Sequence, residues 1–344
     1  MPDLGVDFGN MLWKFHLPSK SHYGSSRHAI APLKESDWRK VAARGNPPKG
    51  VIKVNGLAYA VGDIARRYTI PERPEGAARY HANYYGVGLA YILTEAFEKS
   101  QRDIFLIASH APQDVDYAEM LETAAKGVYE VHCEYGELKF NVKDVYTYDE
   151  PLGIYSHFVL TENGTPKQRN PLLTATTLVV DVGGHTVDVC AVDPGGVIDV
   201  LSLRSTRTGG IDMTRQFTDD LRSNNRTMFQ DAGELDIRRI ESAILTGIYQ
   251  YGNTAIDCKK EAQEAINGLV NDVVQIMKRA GGGTIGNFDK VLVGGGFGAL
   301  IYKALTQSVP RADFMMADNA QNMKYANAFG GPKIVALLRK EGAL

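Results

Sequence analysis

Apolar positions at the start of the chain follow strand spacing. Residues 3–8 and 11–17 are short runs rich in apolar and aromatic side chains, the length of strands. Residues 18–50 carry Pro, Ser, Gly and Lys with little periodicity. Residues 51–61 read as a hairpin about Asn55-Gly56, a two-residue turn signal. Over 82–99 the apolar positions Val87, Leu89, Ala90, Leu93, Ala96 and Phe97 recur at helical spacing and predict a long helix. A buried-type strand follows at 103–109, then a helix at 115–126. Two or three strands over 128–148 turn at Gly136. Pro151 stands where a helix begins, because its missing N–H has no partner to lose in a first turn.

The second half repeats this order. Strands are expected at 176–182, 186–192 and 197–203, with helices near 210–224 and 234–247. A long helix, about 258–280, runs into the stop Gly281-Gly282-Gly283. A strand at 290–293 meets Gly294-Gly295-Gly296 and a further helix, and an amphipathic helix around 321–340 closes the chain. Hairpins followed by βα units, twice over, predict a duplicated α/β fold of two domains with a cleft between them. The repetition is architectural; outside the motifs the letters do not visibly repeat.

Composition narrows the function. At 344 residues the chain exceeds one typical core, so two domains are expected. It is 44% hydrophobic and 23% charged with a formal net charge of −2, and no basic tail or Lys/Arg cluster stands out. Direct binding to nucleic acid or to an anionic membrane is therefore not expected. The longest apolar stretches are strand-length, and the N-terminus enters a strand with no signal-like segment. Cys133, Cys190 and Cys258 fit neither a disulfide framework nor a metal motif, which predicts a reducing cytoplasm. The eight histidines show no ligand spacing, so structural zinc is not expected.

Two segments carry the chemistry. Leu4-Gly5-Val6-Asp7-Phe8-Gly9-Asn10 continues to Lys14; Leu178 to Asp188 reads LVVDVGGHTVD. Each is an apolar run ending in Asp-x-Gly and leading into a second strand. A Gly-rich turn lets backbone N–H groups approach an anion, and a strand-end carboxylate suits a hydrated Mg²⁺. Taken singly, Asp7 and Asp181 are ordinary turn residues, Lys14 a solvated strand residue, and Glu150 a first-turn charge favoured by the helix dipole. Asp212 and Lys324 default to exposed charges, and Tyr84, Tyr85 and Tyr91 to helix packing and surface positions. Gly294 to Gly296 alone resembles a dinucleotide turn but comes late and lacks the full Gly-x-Gly-x-x-Gly spacing, and no P-loop motif occurs. Two hairpins, one opening each half, predict a nucleotide held between two similar domains.

The whole set resembles the actin-like ATPases of the actin, heat-shock chaperone and sugar-kinase superfamily. Its five elements are present in order: the Asp7-x-Gly9 hairpin with Lys14, the helix start Glu150-Pro151-Leu152-Gly153-Ile154, the Asp181 hairpin, Val291 to Gly296, and Asn322 to Gly330. Asp7-Phe8-Gly9-Asn10, the 51–66 segment with Tyr59 to Ala65, and Ala326-Asn327-Ala328-Phe329-Gly330 resemble the plasmid-segregation (ParM-like) branch and its small archaeal relatives. Residues 18–50 and 160–172 match poorly.

The resemblance implies a duplicated, ribonuclease H-like actin fold. Domain I would be 1–157, with a helix of about 326–344 packing back on it, and domain II 158–325. Gly9 and Asn10, with Gly183, Gly184, His185 and Thr186, would grip the β- and γ-phosphates. Asp7 and Asp181 would hold Mg²⁺ through its waters, and Lys14 would reach a phosphate oxygen. Glu150 would orient the attacking water. Gly209, Gly210, Gly294, Gly295 and Gly296 would let the nucleoside approach, with Asp212 and Lys324 on ribose and base. The implied cofactors are ATP/ADP, or GTP, with Mg²⁺. The implied function is a cytoplasmic cytoskeletal ATPase that assembles into a helical homopolymer and moves plasmid DNA through a DNA-binding adaptor protein.

A sugar or acyl kinase on the same fold is the alternative, with Asp114 or Asp116 as substrate base, although Ser109-His110-Ala111-Pro112 looks like an actin-type strand end. Glu150 speaks against a non-hydrolysing scaffold. A heat-shock chaperone is disfavoured because no chain is left for a peptide-binding domain.

Overall fold

The structure, a computed structural model, describes residues 1–9, 11–68, 78, 80–230, 235 and 237–344. Two compact units divide the chain: Met1–Asn170 with Tyr325–Leu344, and Pro171–Lys324. In the first, strand β1 (Asp3–Phe8) is buried along nearly its whole length, Asp7 included, as a central strand with partners on both sides is. It pairs antiparallel with β2 (Leu12–Leu17), and β2 in turn with β3 (His22–Arg27). On its other side β1 runs parallel to a long strand at Gln101–His110, which is parallel to Gly136–Asp149.

Between these lie β4 (Ile30–Pro32), helix α1 (Glu35–Ala42), the hairpin β5 (Val51–Val54) and β6 (Leu57–Val61), and helix α2 (Ala82–Phe97). The long strands are therefore β7 (Gln101–His110) and β9 (Gly136–Asp149), with α3 (Ala118–Ala125) and β8 (Gly127–Cys133) between them. Nine strands form one sheet in the order β3-β2-β1-β7-β9-β8-β5-β6-β4.

The second unit repeats its first five positions. β10 (Thr177–Val182), β11 (Val187–Asp193), β12 (Val197–Thr206), a strand at Lys290–Gly294 and one at Phe314–Met316 form a five-stranded sheet. Two antiparallel pairings lie on one side of β10 and two parallel ones on the other, as around β1. The duplication is thus one of strand order and direction. Helices α5 (Gly210–Asn224), α6 (Ile237–Thr246) and α7 (Lys259–Ala280) fill the crossover. α6 and α7 flank a separate hairpin, β13 (Ile248–Tyr251) and β14 (Thr254–Asp257). The parallel strands are then β15 (Lys290–Gly294) and β16 (Phe314–Met316), joined by α8 (Gly298–Ser308).

Strand alternation sorts the first core into two faces. Ile104, Leu106 and Ala108 of β7, with Leu4, Val6, Phe8 and Trp13, meet Tyr85, Leu89 and Leu93 of α2. Phe105 and Ile107 face the other way, toward Tyr148 and the last helix, α9 (Ala326–Glu341). Tyr84, Tyr85 and Tyr91 are all core residues, which corrects their reading as partly surface positions; Tyr85 lies 4.2 Å from Phe8, ring to ring.

Several boundaries differ from expectation. Residues 18–50 hold β3, β4 and α1, hidden in the sequence because β3 is built of small and polar residues and α1 buries only Trp38. The helix expected at 115–126 is a 3₁₀ turn at Pro112–Tyr117 followed by α3. Of the helix expected at 234–247, residues 234 and 236 lie outside the described residues, and α6 begins at Ile237. β13, β14 and β16 were not foreseen. The last helix starts at Ala326 and is not amphipathic: residues 326–335 are buried all round. Among the described residues no helix is long and apolar enough to cross a membrane.

α9 is enclosed because glycines let it sink. It lies against α4 (Glu150–Val159), and a Cβ on Gly330 would come within 1.8 Å of the Gly153 carbonyl oxygen. A Cβ on Gly5 of β1 would meet the Ala328 carbonyl at 2.3 Å. The Tyr148 hydroxyl donates to the Asn327 carbonyl at 2.6 Å across the same seam. Gly330→Ala should therefore lower unfolding free energy by about 3 kcal/mol through overpacking, read by chemical denaturation; an unchanged midpoint would contradict this packing.

His16 supplies a pH signature. It is 7% exposed, and its pKa falls to about 4 through burial, with the Lys333 and His157 charges lowering it further and Glu162 opposing. Its folded pKa lies below the ordinary 6.5, so its contribution is complete above that value and is lost as pH falls toward 4. The shift corresponds to roughly 3 kcal/mol. His16→Leu should flatten the decline of stability between pH 7 and pH 4 in denaturant titrations, and a slope identical to the native one would exclude His16 as its source.

Candidate active site

Ligand sites in α/β sheets gather at the carboxyl ends of parallel strands. In the first unit the register sets Asp7 beside Ser109, Ser109 beside Tyr148, and His110 beside Asp149. Asp7 is 1% exposed. Lys14 lies directly across from it on β2, and its Nζ is 2.6 Å from Asp7 Oδ2. Along one strand a seven-residue offset would put the two side chains on opposite faces. The turn reverses the chain, and the register returns Lys14 to the face of Asp7. At Gly9 a Cβ would sit 2.9 Å from the Leu12 carbonyl and 3.5 Å from Lys14 Nζ, so glycine keeps the approach to the pair open. The Gly9 carbonyl is held by His28 Nδ1 at 3.1 Å. Asn10 lies outside the described residues.

The second unit builds the same device. Asp181 faces Asp188 across β10 and β11, again seven residues on. The Gly183 N–H donates to the Thr186 carbonyl at 2.9 Å, and a Cβ on Gly183 would meet that carbonyl at 3.0 Å, matching Gly9 and Leu12. The two hairpins share the Asp-x-Gly turn and the close approach of its glycine to the carbonyl three residues on, and they differ at the seventh residue, a cation in one and a carboxylate in the other. Asp188, 1% exposed, accepts a 2.7 Å hydrogen bond from Thr186 Oγ1. Asp181 and Asp188 thus set two carboxylates on facing strand positions, one of them hydrogen-bonded to Thr186. Among the described residues no three His, Cys, Asp or Glu side chains converge as a metal cage. Asp188 was not among the expected site residues; its signal was the spacing shared with Asp7 and Lys14.

Backbone fills the rest of this end. The Gly210 and Ile211 N–H groups donate to the carbonyls of Gly183 and Gly184 at 3.0 and 2.7 Å, joining the start of α5 to the hairpin. A Cβ on Gly209 would be 2.5 Å from the Gly184 carbonyl, and one on Gly210 would be 2.3 Å from the Phe297 ring. Both glycines thus serve protein packing. Asp212 accepts the Gly209 N–H at 3.1 Å and lies 3.3 Å from Arg215 Nη1, a helix-capping arrangement. Gly294 lies beside Asp181 in register. Gly295 has φ +88°, and a Cβ there would come within 2.2 Å of Asp181 Oδ1; Gly296 is exposed, with nothing within 4 Å of an added Cβ. His185 is half-buried, and Lys324 is half-buried in the 3₁₀ turn Met323–Tyr325.

Glu150 opens α4 and is 8% exposed. The other end of this helix is held by cations. Lys333 Nζ donates to the His157 and Leu160 carbonyls at 3.3 Å, and Lys167 Nζ to Phe158 at 2.8 Å. Acid at the first turn and ammonium groups at the last complement the helix dipole. Tyr148 lies between the two acids: burial raises its phenol pKa far above the ordinary value, and the charges of Asp7 and Glu150 raise it further. Asp149 is likewise raised by burial, opposed by His110, whose Nδ1 is 3.6 Å away. Asp7, Gly9, Lys14 and Glu150 thus share one end of the first unit. Asp181, Gly183 to Thr186, Gly209, Gly210 and Gly294 to Gly296 share one end of the second.

Known structures carry this fold. The chain is similar to the archaeal actin homolog Ta0583 at 15% identity and a TM-score of 0.76, over 98% of this chain and 99% of that one; that protein has also been solved in complex with ADP. A ParM of a 15-stranded filament from Clostridium botulinum matches at 17% identity and a TM-score of 0.75, over 97% and 98%. Bacillus thuringiensis ParM with ATP matches at 15% and 0.69, over 99% of both chains. No family model matches the chain, nor does any curated protein. The fold is that of the actin-like ATPases: two α/β units with the same central strand order.

Lys14→Met would leave the buried Asp7 carboxylate without its ammonium partner and should cost about 3–5 kcal/mol. Adding Asp7→Asn should recover most of that loss. Denaturant unfolding of single and double variants reads the coupling, and strictly additive losses would show that the two groups do not act as a pair.

Proposed function

We propose that this protein is a filament-forming, actin-like nucleotide hydrolase. The observation that carries the reading is the matched pair of hairpins, with Asp7 and Asp181 at equivalent strand ends of duplicated units. In this reading Asp7 and Asp181 hold a hydrated Mg²⁺, and Lys14 places a point charge on a phosphate oxygen. Backbone N–H groups of Gly9, Asn10 and Gly183 to Thr186 grip the β- and γ-phosphates. Gly294 to Gly296 leave room for the nucleoside, with Lys324 close to the base. Glu150 aims a water at the γ-phosphorus and takes its proton as the bond to the β-phosphate oxygen breaks.

The ADP complex of the archaeal homolog and the ATP complex of the Bacillus ParM support a nucleotide as ligand, with GTP as the alternative. The Clostridium filament supports polymerisation. Closure on the γ-phosphate would favour the polymer and hydrolysis would release it. The cellular task in this reading is plasmid or DNA segregation in the cytoplasm through an adaptor. The kinase alternative is weakened at its first candidate base: Asp114 is buried and accepts a 3.4 Å hydrogen bond from the Tyr80 hydroxyl.

Sedimentation with ATP, GTP, ADP or no nucleotide, with phosphate release followed in parallel, tests the reading. Nucleotide-dependent pelleting with phosphate release is expected. Phosphate transfer to an added sugar or acyl acceptor without pelleting would replace it by the kinase. Glu150→Ala should slow hydrolysis about a hundredfold while filaments still form; equal loss of both activities would remove Glu150 from its assigned role.

A further inference from the structure

The net charge of −2 conceals a strong separation of charge within the first unit. Between residues 34 and 53 there are six basic side chains and two acidic ones. Lys34, Arg39, Lys40 and Arg44, on α1 and its flanks, are all exposed. The two acids are already engaged: Glu35 with Arg39 and Lys53, and Asp37 with Lys40, at 3.3 to 3.5 Å. Exposed pairs of this kind are worth little, so the surface stays positive. Beside it a groove of about 530 Å³ is lined by Trp38, Lys53, His132, Glu130 and Lys139, among others.

Residues 114–122 have the opposite character, with four acidic side chains and no basic one. Asp114 is buried, but Asp116 and Glu119 are exposed, and among the described residues neither has an ion-pair partner. Three apolar side chains stand out among them: Val115, 57% exposed, with Tyr117 and Met120. Large apolar groups ringed by one sign of charge mark an interaction surface.

The two surfaces lie on opposite faces of the nine-stranded sheet. Leu121 and Ala125 of α3 join the core on the α2 side. Trp38 of α1 packs on Val51 and Ala58, whose side chains alternate with those of Ile52 and Val54 on the α2 side. The patches therefore cannot meet within one chain. Between copies they can, and a contact joining two different patches is head-to-tail, the kind that propagates as an open polymer.

We infer that the basic surface around α1 of one copy docks the acidic–apolar surface at 115–120 of the next, as a subunit contact of the polymer. Val115, Tyr117 and Met120 supply the apolar centre, and the groove beside Trp38 accepts one of them. The charges set partner orientation and association rate and make the contact salt-sensitive, because exposed charges are screened beyond about 10 Å at 0.1 M salt. This deepens the polymer reading and rests on it for its biological meaning, but the contact itself can be measured without nucleotide.

The test uses two surface variants of the full chain, Lys34→Glu with Arg44→Glu, and Asp116→Lys with Glu119→Lys. Each pair of changes cancels the net charge of its own patch, leaving four basic and four acidic side chains at 34–53 or two of each at 114–122. In sedimentation velocity at low salt each variant alone should associate at least about tenfold more weakly than the native protein. An equimolar mixture should restore pairing between the two variants, since the unaltered acidic patch of one meets the unaltered basic patch of the other, and added salt should abolish it. Native-like association of either variant, or a mixture no better than its parts, would overturn the inference. If nucleotide-driven pelleting also persisted in both variants, the polymer reading would stand with a different contact. Failure of the native chain to pellet under any nucleotide, with rescue in the mixture, would instead retain the contact and remove the polymer reading. Retention of short duplex DNA by the native protein, lost in Lys34→Glu with Arg44→Glu while self-association is unchanged, would reassign the basic surface to nucleic acid.

Discussion

Three parallel strands of the first unit, β1, β7 and β9, end side by side, and the chemistry of that unit depends on where those ends fall. Parallel pairing with a fixed register leaves no freedom: once Leu4, Val6 and Phe8 turn toward α2, Asp7 must face α9, beside Ser109 and then Tyr148. The antiparallel turn to β2 brings Lys14 onto the same face. In the second unit the same constraint sets Asp181 against Asp188 and beside Gly294. A slip of one residue in either hairpin would send its carboxylate into the apolar core, where an unpaired charge is costly.

Burial makes these acids useful and also requires neighbours that stabilise them. Asp7 is matched by an ammonium, whereas Asp181 lies opposite a second carboxylate softened by one hydroxyl hydrogen bond. The two hairpins therefore share a shape but differ in the residue that faces the acid, Lys14 in one and Asp188 in the other. α4 follows a related logic on a larger scale. Glu150 occupies its positive end, while Lys167 and Lys333 neutralise carbonyls at its negative end. The helix is seated by contact between glycine backbones, Gly153 and Gly330, which leaves little room for it to shift. An acid at its first turn is thus positioned by interactions along its whole length.

The surface of the first unit shows the complementary behaviour. Two stretches of exposed charge differ in sign, positive around α1 and negative around the start of α3. A near-neutral total says nothing about this, because a sum over the chain discards direction. The sheet gives the direction by separating the two helices onto opposite faces.

Much of this protein could be read from its letters. The strand lengths of β1, β10 and β15, the hairpin at Asn55-Gly56, the helix at 82–97 and the two Asp-x-Gly turns follow from local periodicity and turn chemistry, which act over a few residues. Asp7 and Asp181 stand out by the same signals, whereas Lys14 and Glu150 become candidates only through the resemblance to the actin-like ATPases. Short-range signals failed where packing decides. β3 and α1 lack an apolar stripe, β16 is three residues long, and α9 is buried on all sides, so no amphipathic pattern marks its start. No local pattern marks Asp212 as the cap of Gly209, and only strand pairing sets Asp188 opposite Asp181. Sequence determined which residues could bear charge at strand ends, because turn and strand preferences are local. Tertiary structure alone decided which of those charges face one another, because register and burial are set by contacts far apart along the chain.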